Sequence, residues 1–450
     1  METASASANA AAPGEAATEE VTPLNRVVAG AAAGTVIEYY DFGIYAVLAV
    51  ALGHAFFPPD DPSLGVLLAV ASTGVAFVVR PLGGMLFGMM SDRIGRKFTF
   101  MTTLFVMSGA TILMGLTPNY ATIGVAAPII IVGLRVLQGL AVGGEYAAAS
   151  TYVIEHSPDH KRGYYTGWLG GMTGGSLVLA LLAVVATQRS LPPEAFQAWG
   201  WRFPFLYAAG LLLIALYIRT RLRESPVFRR LAASGRLAKT PLRDVLADPK
   251  ALGRIMAVAF GVCTPQITSG LIGSMLALYY MQTSGGVEPS HATLLLAVGC
   301  LAAMPMTILA GALSDKLGRK PVQITGMALG AIGFIPLFHY LPAAAASSSA
   351  LAYVLIILLQ VPSSLVVGPA FATITESFPA AQRTTSAAIA FSTGGVIGGF
   401  SPAVALWLAK TYGDINWGLA YAIAVLTAGM VINLLWVRES SRIQLSADAS

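Results

Sequence analysis

The chain has 450 residues, of which 56% are hydrophobic and only 11% charged. A soluble globular domain carries about 25% charged residues, so this composition excludes an ordinary soluble domain and points to a protein dissolved in lipid. The formal net charge of +5 is then a matter of orientation in a bilayer and calls for no nucleic-acid partner.

Residues 1–22 are Ala-rich and contain Glu but no Lys or Arg. A secretory signal needs a basic segment before its apolar run, so this stretch is expected to be a disordered cytoplasmic tail. Apolar runs long enough to cross a bilayer follow at roughly 26–50, 64–90, 98–117, 121–146, 163–187, 203–220, 254–281, 291–313, 321–340, 350–374, 384–408 and 416–437. These twelve spans predict an all-α integral membrane protein with both termini in the cytoplasm. They divide into an N-terminal six-helix bundle (23–220), a basic cytoplasmic linker (221–252), a C-terminal six-helix bundle (253–438) and a short tail (439–450). Lys and Arg placement sets the orientation: 22 of the 27 fall in cytoplasmic segments, ten of them between Arg219 and Arg254. Cys263 and Cys300 both lie in spans, and His156 and His160 share a loop without a neighbouring Cys, so neither a disulfide nor a metal site is expected.

One pattern recurs half a chain later. The ten residues Gly88–Lys97 are answered by Gly311–Lys320 at an offset of 223, keeping Gly, Ser-Asp, a cation and Gly-Arg-Lys in order. Glu155, Pro158 and Arg162 are answered by Glu376, Pro379 and Arg383, Gln138 by Gln360, and Arg223-Glu224-Ser225 by Arg438-Glu439-Ser440. Each half therefore repeats one unit, as two-fold transporters do.

On these motifs the chain resembles the major facilitator superfamily along nearly its whole length. The loop Gly-x-x-x-Asp-Arg-x-Gly-Arg-Lys is that superfamily's most specific motif and appears twice, with Lys316 in place of Arg93 in the second copy. Arg135-Val-Leu-Gln138-Gly139 resembles its fourth-helix motif. Glu38-Tyr39-Tyr40-Asp41-Phe42, Arg80-Pro81-Leu-Gly83, Gly143-Gly144-Glu145-Tyr146, Gly200-Trp201-Arg202-Phe203-Pro204-Phe205 and Glu224-Ser225-Pro226 resemble the metabolite:proton symporter family within it. That resemblance implies a symporter of carboxylates such as shikimate, citrate and 2-oxoglutarate, or of zwitterionic osmolytes.

The duplicated acids are not what orientation requires. Asp92 and Asp315 each stand where a helix enters the cytoplasm, and there a carboxylate can accept from a neighbouring helix N-terminus. With Arg93, Arg96, Glu145, Arg162, Glu224, Arg319 and Glu439 they form an expected cytoplasmic gate. Glu155 and Glu376, with Arg162 and Arg383, are expected to bridge helix ends across the halves.

Inside the membrane an ionisable side chain costs at least about 2.5–3.5 kcal/mol, so it persists mainly where it lines a cavity. Glu38 and Asp41 lie roughly 18 and 22 Å along a helix from Arg26, and Arg80 roughly 18 Å from Asp92. Arg135 is central to span four. The matching positions of the second half, around Phe260, Ala303 and Ile357, carry no charge. Proton and anion chemistry is thus expected in the first half. Asp41 or Glu38 is the expected proton carrier and Arg135 its ion-pair partner, freed by protonation to bind a substrate carboxylate. Arg80 supplies a second anion site or holds the other acid. Tyr39, Tyr40, Tyr45, Gln138, Gln266 and Gln360 are the remaining expected cavity residues.

The expected function is proton-coupled uptake of a mono-, di- or tricarboxylate by a monomer in the bacterial cytoplasmic (inner) membrane, with the proton gradient as driving ion and no cofactor. Zwitterionic osmolytes are the alternative cargo. A drug/proton antiporter fits less well, because Gly170-Gly171-Met-Thr-Gly174-Gly175 lacks the Gly-Pro of such carriers. An enzyme is not expected, since no His-Glu-x-x-His metal site and no nucleophile–base pair is present.

Overall fold

In a bilayer every backbone polar group must be satisfied within the chain, so each apolar run becomes a helix. The computed structural model describes residues 35–36, 39–58, 62–94, 96–143, 149–151, 153–154, 157–220, 247–283, 285–347, 350–379 and 383–441. Among them, eight helices are long and apolar enough to cross a membrane, two further spans are bent pairs, and two are shorter apolar helices. The resulting twelve spans are α1 (Tyr39–Val47 and Ala49–Phe56, bent by 67°), α2 (Pro62–Ile94), α3 (Arg96–Leu116), α4 (Ala126–Val142), α5 (Arg162–Ser190) and α6 (Arg202–Thr220) in the first half. The second half holds α7 (Pro249–Thr283), α8 (Pro289–Leu317), α9 (Arg319–Ala346), α10 (Ala350–Glu376), α11 (Arg383–Tyr412) and α12 (Ile415–Trp436). The linker and both tails fall largely outside the described residues. Its last few residues belong to α7, which opens on Pro249 with the Asp248 side chain capping the Lys250 N–H.

The halves meet along α2 with α11 and α5 with α8. Small residues let these backbones approach, as lipid-embedded helices require. A Cβ on Gly163 would lie 2.4 Å from the Gly311 carbonyl, and one on Gly311 would lie 2.3 Å from the Gly163 carbonyl. Neither position admits a side chain without separating the helices.

Helix α7 carries two π-turns, Ala259–Cys263 and Ile272–Leu276. A π-turn leaves a carbonyl without its usual intrahelical donor. Both are capped by amides from neighbouring helices: Asn433 Nδ2 donates to Gly261 at 3.0 Å and Gln360 Nε2 to Gly273 at 2.8 Å. Past the second turn, Tyr279 of α7 reaches across the halves and donates its hydroxyl to the Ala46 carbonyl of α1 at 2.7 Å. At the outer end of α6, Arg202 donates to Thr117 and Asn119, and Trp201 packs edge-on against Phe56 and Phe205. The Gly200–Phe205 motif therefore pins α6 to α3 and α1.

Candidate functional site

The first segment of α1, Tyr39–Val47, sets Asp41, Phe42 and Tyr45 against α2, α3 and α4. Asp41 is fully buried, and its Oδ2 accepts from Ser108 of α3 at 2.5 Å. Its Oδ1 is buried with no partner. A carboxyl so placed is far less costly to bury neutral than ionised.

Arg135 sits on α4, three residues before Gln138, so both side chains leave the same helix face. The expected Asp41–Arg135 ion pair is absent. Arg135 Nη1 instead donates to Gln138 Oε1 at 2.8 Å, and Gln138 Nε2 donates to Thr111 Oγ1 at 2.8 Å and to the Asp41 carbonyl at 3.3 Å. Gln138 thus stands between the acid and the base. The pair fails to form because aromatic faces hold the guanidinium: its carbon lies 4.6 Å from the Phe42 centroid and 4.3 Å from that of Tyr45. The Nε and Nη2 of Arg135 are buried without hydrogen-bond partners.

Arg80, 2% exposed on α2, lies 4.6 Å from the centroid of the same Phe42 ring and 3.8 Å from that of Phe77. No hydrogen bond or ion pair holds it among the described residues, and its Nε is buried bare. Two guanidiniums therefore share one ring at equal distance, with no described carboxylate on either. Cation–π contact is worth about 0.5–2 kcal/mol, less than a buried guanidinium loses by forgoing charged hydrogen bonds. The two guanidiniums are thus held on weak, replaceable contacts.

Of the other expected cavity residues, Tyr45 joins the site, its hydroxyl sharing a 2.6 Å bond with Ser72. Tyr40 is engaged elsewhere, donating to the Pro204 carbonyl of α6. Gln360 is committed to the π-turn of α7. Tyr39 and Gln266 are described in α1 and α7, Gln266 being buried. Glu38 lies outside the described residues. Ser108, Thr111, Phe42, Phe77 and Tyr279 belong to the site and were not singled out from the sequence. Their signals were faint: a Ser–Thr pair three apart on an apolar helix, and aromatics beside a charged motif.

At the cytoplasmic face Asp315 accepts from the backbone N–H groups of Gly163 and Tyr164, both at 2.8 Å. A carboxylate from the second half thereby caps α5 of the first, where the helix dipole favours negative charge. Arg319 bonds Asp315 at 2.7 Å, Ser314 at 2.8 Å and both oxygens of Glu376, at 3.1 and 3.2 Å. Ser440 donates to Glu376 at 2.7 Å. The expected cross-half bridges involve Glu155, which lies outside the described residues; among the described residues Glu376 bonds Arg319 and Ser440. Glu376 pairs within its own half because Arg319 starts the adjacent helix and reaches it with both nitrogens. Arg383 donates to the Phe378 carbonyl, and Arg162 pairs with Asp159. Glu439 caps the first turn of α9 through Arg319 and Lys320, while Lys320 caps the Leu434 and Val437 carbonyls at the end of α12. Burial alone would raise the Glu439 carboxyl, but the backbone donors of Arg319, Ser441 and Lys320 outweigh it and hold it below the usual range. Glu145, Glu155 and Glu224 lie outside the described residues. Asp92, Arg93 and Arg96 lie on α2 and α3, their side chains outside the description.

A model of the sugar (and other) transporter family matches residues 27–441. The chain belongs to that family, within the major facilitator superfamily. It is 33% identical over 434 residues to the shikimate transporter of Escherichia coli (strain K12), covering 94% of this chain and 97% of the relative. It is 32% identical over 430 residues to the glycine betaine/proline/ectoine/pipecolic acid transporter OusA of Dickeya dadantii (strain 3937), covering 93% of this chain and 84% of the relative. Its fold is that of the xylose transporter XylE from E. coli in a partially occluded inward open conformation, at TM-score 0.72 and 20% identity over 94% of this chain and 99% of that one. This family member is a multi-pass membrane transporter and not an enzyme.

Proposed function

We propose that the protein is a proton-coupled symporter that takes up a small organic anion (a mono-, di- or tricarboxylate) by alternating access. The observation that carries the reading is the pair of buried guanidiniums around Phe42, without a described counterion and one hydrogen-bonded residue away from Asp41. A substrate carboxylate replaces the ring contacts with bidentate charged hydrogen bonds. A proton on Asp41 removes the other buried charge, and the loaded, near-neutral site lets the two halves rock. The cap of Asp315 on α5 is the cytoplasmic latch that must open for release. The carrier works as a monomer in the bacterial inner membrane, with no cofactor beyond the proton gradient.

A zwitterionic osmolyte is the second reading, supported by similarity to the proline/betaine transporter of Escherichia coli (strain K12), 31% identical. The carboxylate end of such a molecule meets the same arginines. Uptake of radiolabelled shikimate, citrate, 2-oxoglutarate, proline and glycine betaine into proteoliposomes, with and without an imposed pH gradient, separates the readings. Uptake indifferent to the gradient overturns symport, and uptake of the zwitterions alone overturns the carboxylate assignment.

A further inference from the structure

The seam between α2 and α11 is built from two reciprocal knobs. Phe77 of α2 sits where α11 has glycines: a Cβ on Gly399 would fall 2.2 Å from Phe77 Cγ, and one on Gly395 would fall 3.2 Å from Phe77 Cδ1. Phe400 of α11 returns the arrangement, since a Cβ on Gly74 would fall 2.4 Å from its Cδ1. Phe77 is 4% exposed and meets Phe42 edge-on at 5.3 Å between centroids. It also carries the Arg80 guanidinium 3.8 Å above its face, nearer than any other cation–ring contact of the site. One ring therefore touches the anion site and fills the notch that joins the two halves.

We infer that Phe77 is the positioning residue that couples occupancy of the arginine pair to the α2–α11 seam. The inference rests on the carboxylate reading proposed above. An empty site leaves Arg80 on the ring, and that contact holds Phe77 in its place against Gly395 and Gly399. A carboxylate outcompetes the ring, because a bidentate charged pair is stronger than a cation–π contact. Arg80 then leaves the ring, and Phe77 is free to slide from the notch as the halves rock. The ring both opposes substrate in the empty carrier and carries the signal of its arrival.

Phe77→Leu keeps an apolar filler and removes the ring face, so it separates this role from plain packing. In proteoliposomes with a pH gradient and the same five labelled probes, the variant should show a KM about fivefold lower, since Arg80 has lost its nearer ring and has only Phe42 to leave. Its Vmax should fall about tenfold, since binding no longer frees the seam. Gly399→Ala, which blocks the notch alone, should lower Vmax with KM unchanged. Unaltered KM and Vmax in Phe77→Leu, or a raised KM with Vmax preserved, overturns the inference. Should Phe77→Leu not fold, unaltered Vmax in Gly399→Ala overturns it instead. Wild-type protein that takes up none of the five probes in response to the gradient defeats the proposed function and this inference together. A transporting wild type with indifferent variants defeats the inference alone.

Discussion

Arg319 and Arg135 are both fully buried, yet their surroundings are opposite. Every nitrogen of the Arg319 side chain bonds an acceptor, and two of the three partners are carboxylates. Arg135 has one neutral acceptor and two bare nitrogens, and Arg80 has none among the described residues. Removing a partner from a complete buried network is costly, whereas an unsatisfied guanidinium already carries that cost. A protein retains the second kind of arginine where a ligand completes it. Under the proposed function, the cytoplasmic cluster holds and releases the scaffold and the mid-membrane pair takes the cargo.

The largest test of this contrast exchanges function for stability. Arg135→Gln is expected to cut pH-driven uptake more than about 100-fold, while its thermal midpoint in detergent stays near wild type or rises. A midpoint that collapses instead would make Arg135 a structural residue and erase the distinction. Glu376→Gln should behave in the reverse sense, leaving Arg319 short of a carboxylate and lowering stability by about 3–5 kcal/mol, read by denaturant unfolding. Asp41→Asn should abolish accumulation against a gradient but spare substrate exchange between equal pools, with exchange within about tenfold of wild type. Loss of both activities together would place Asp41 in substrate binding and not in coupling.

The smallest effect belongs to Glu439. Its carboxyl is held below the usual range by backbone donors, so its stabilising contribution is present above the ordinary carboxylate range and is lost as pH falls through its folded-state value. Glu439→Gln should therefore melt below wild type at neutral pH, with the two converging at acid pH. A gap that persists at low pH assigns the effect to geometry rather than charge.

Much of this was legible in the chain itself. The 223-residue repeat marked Asp315 as a helix-end acid, and the absence of charge near Phe260, Ala303 and Ile357 directed attention to Asp41, Arg80 and Arg135. The partners were not legible. Asp41 and Arg135 look like an ion pair because they are the nearest opposite charges in like-depth spans, and spacing along a helix carries no information about rotation between helices. Phe42 touches both arginines and Gln138 stands between acid and base, an arrangement set by how α1 packs against α2, α3 and α4. Ser108 offers no pattern that separates it from any other hydroxyl in a span. Glu376 likewise has a cation close in sequence at Arg383, yet Arg319, on a different helix, reaches it with two of its nitrogens.

What the sequence determined alone is therefore what depends on the chain in one dimension: twelve spans from hydropathy, orientation from Lys and Arg, and duplication from the repeated loops. These follow from lipid and from ancestry without any packing. Which charges pair and which stay bare was decided only by the tertiary structure. Side-chain contacts a few ångströms long depend on how helices cross, bend and rotate, and those angles are set by close approaches such as Gly163 on Gly311 and Phe77 on Gly399.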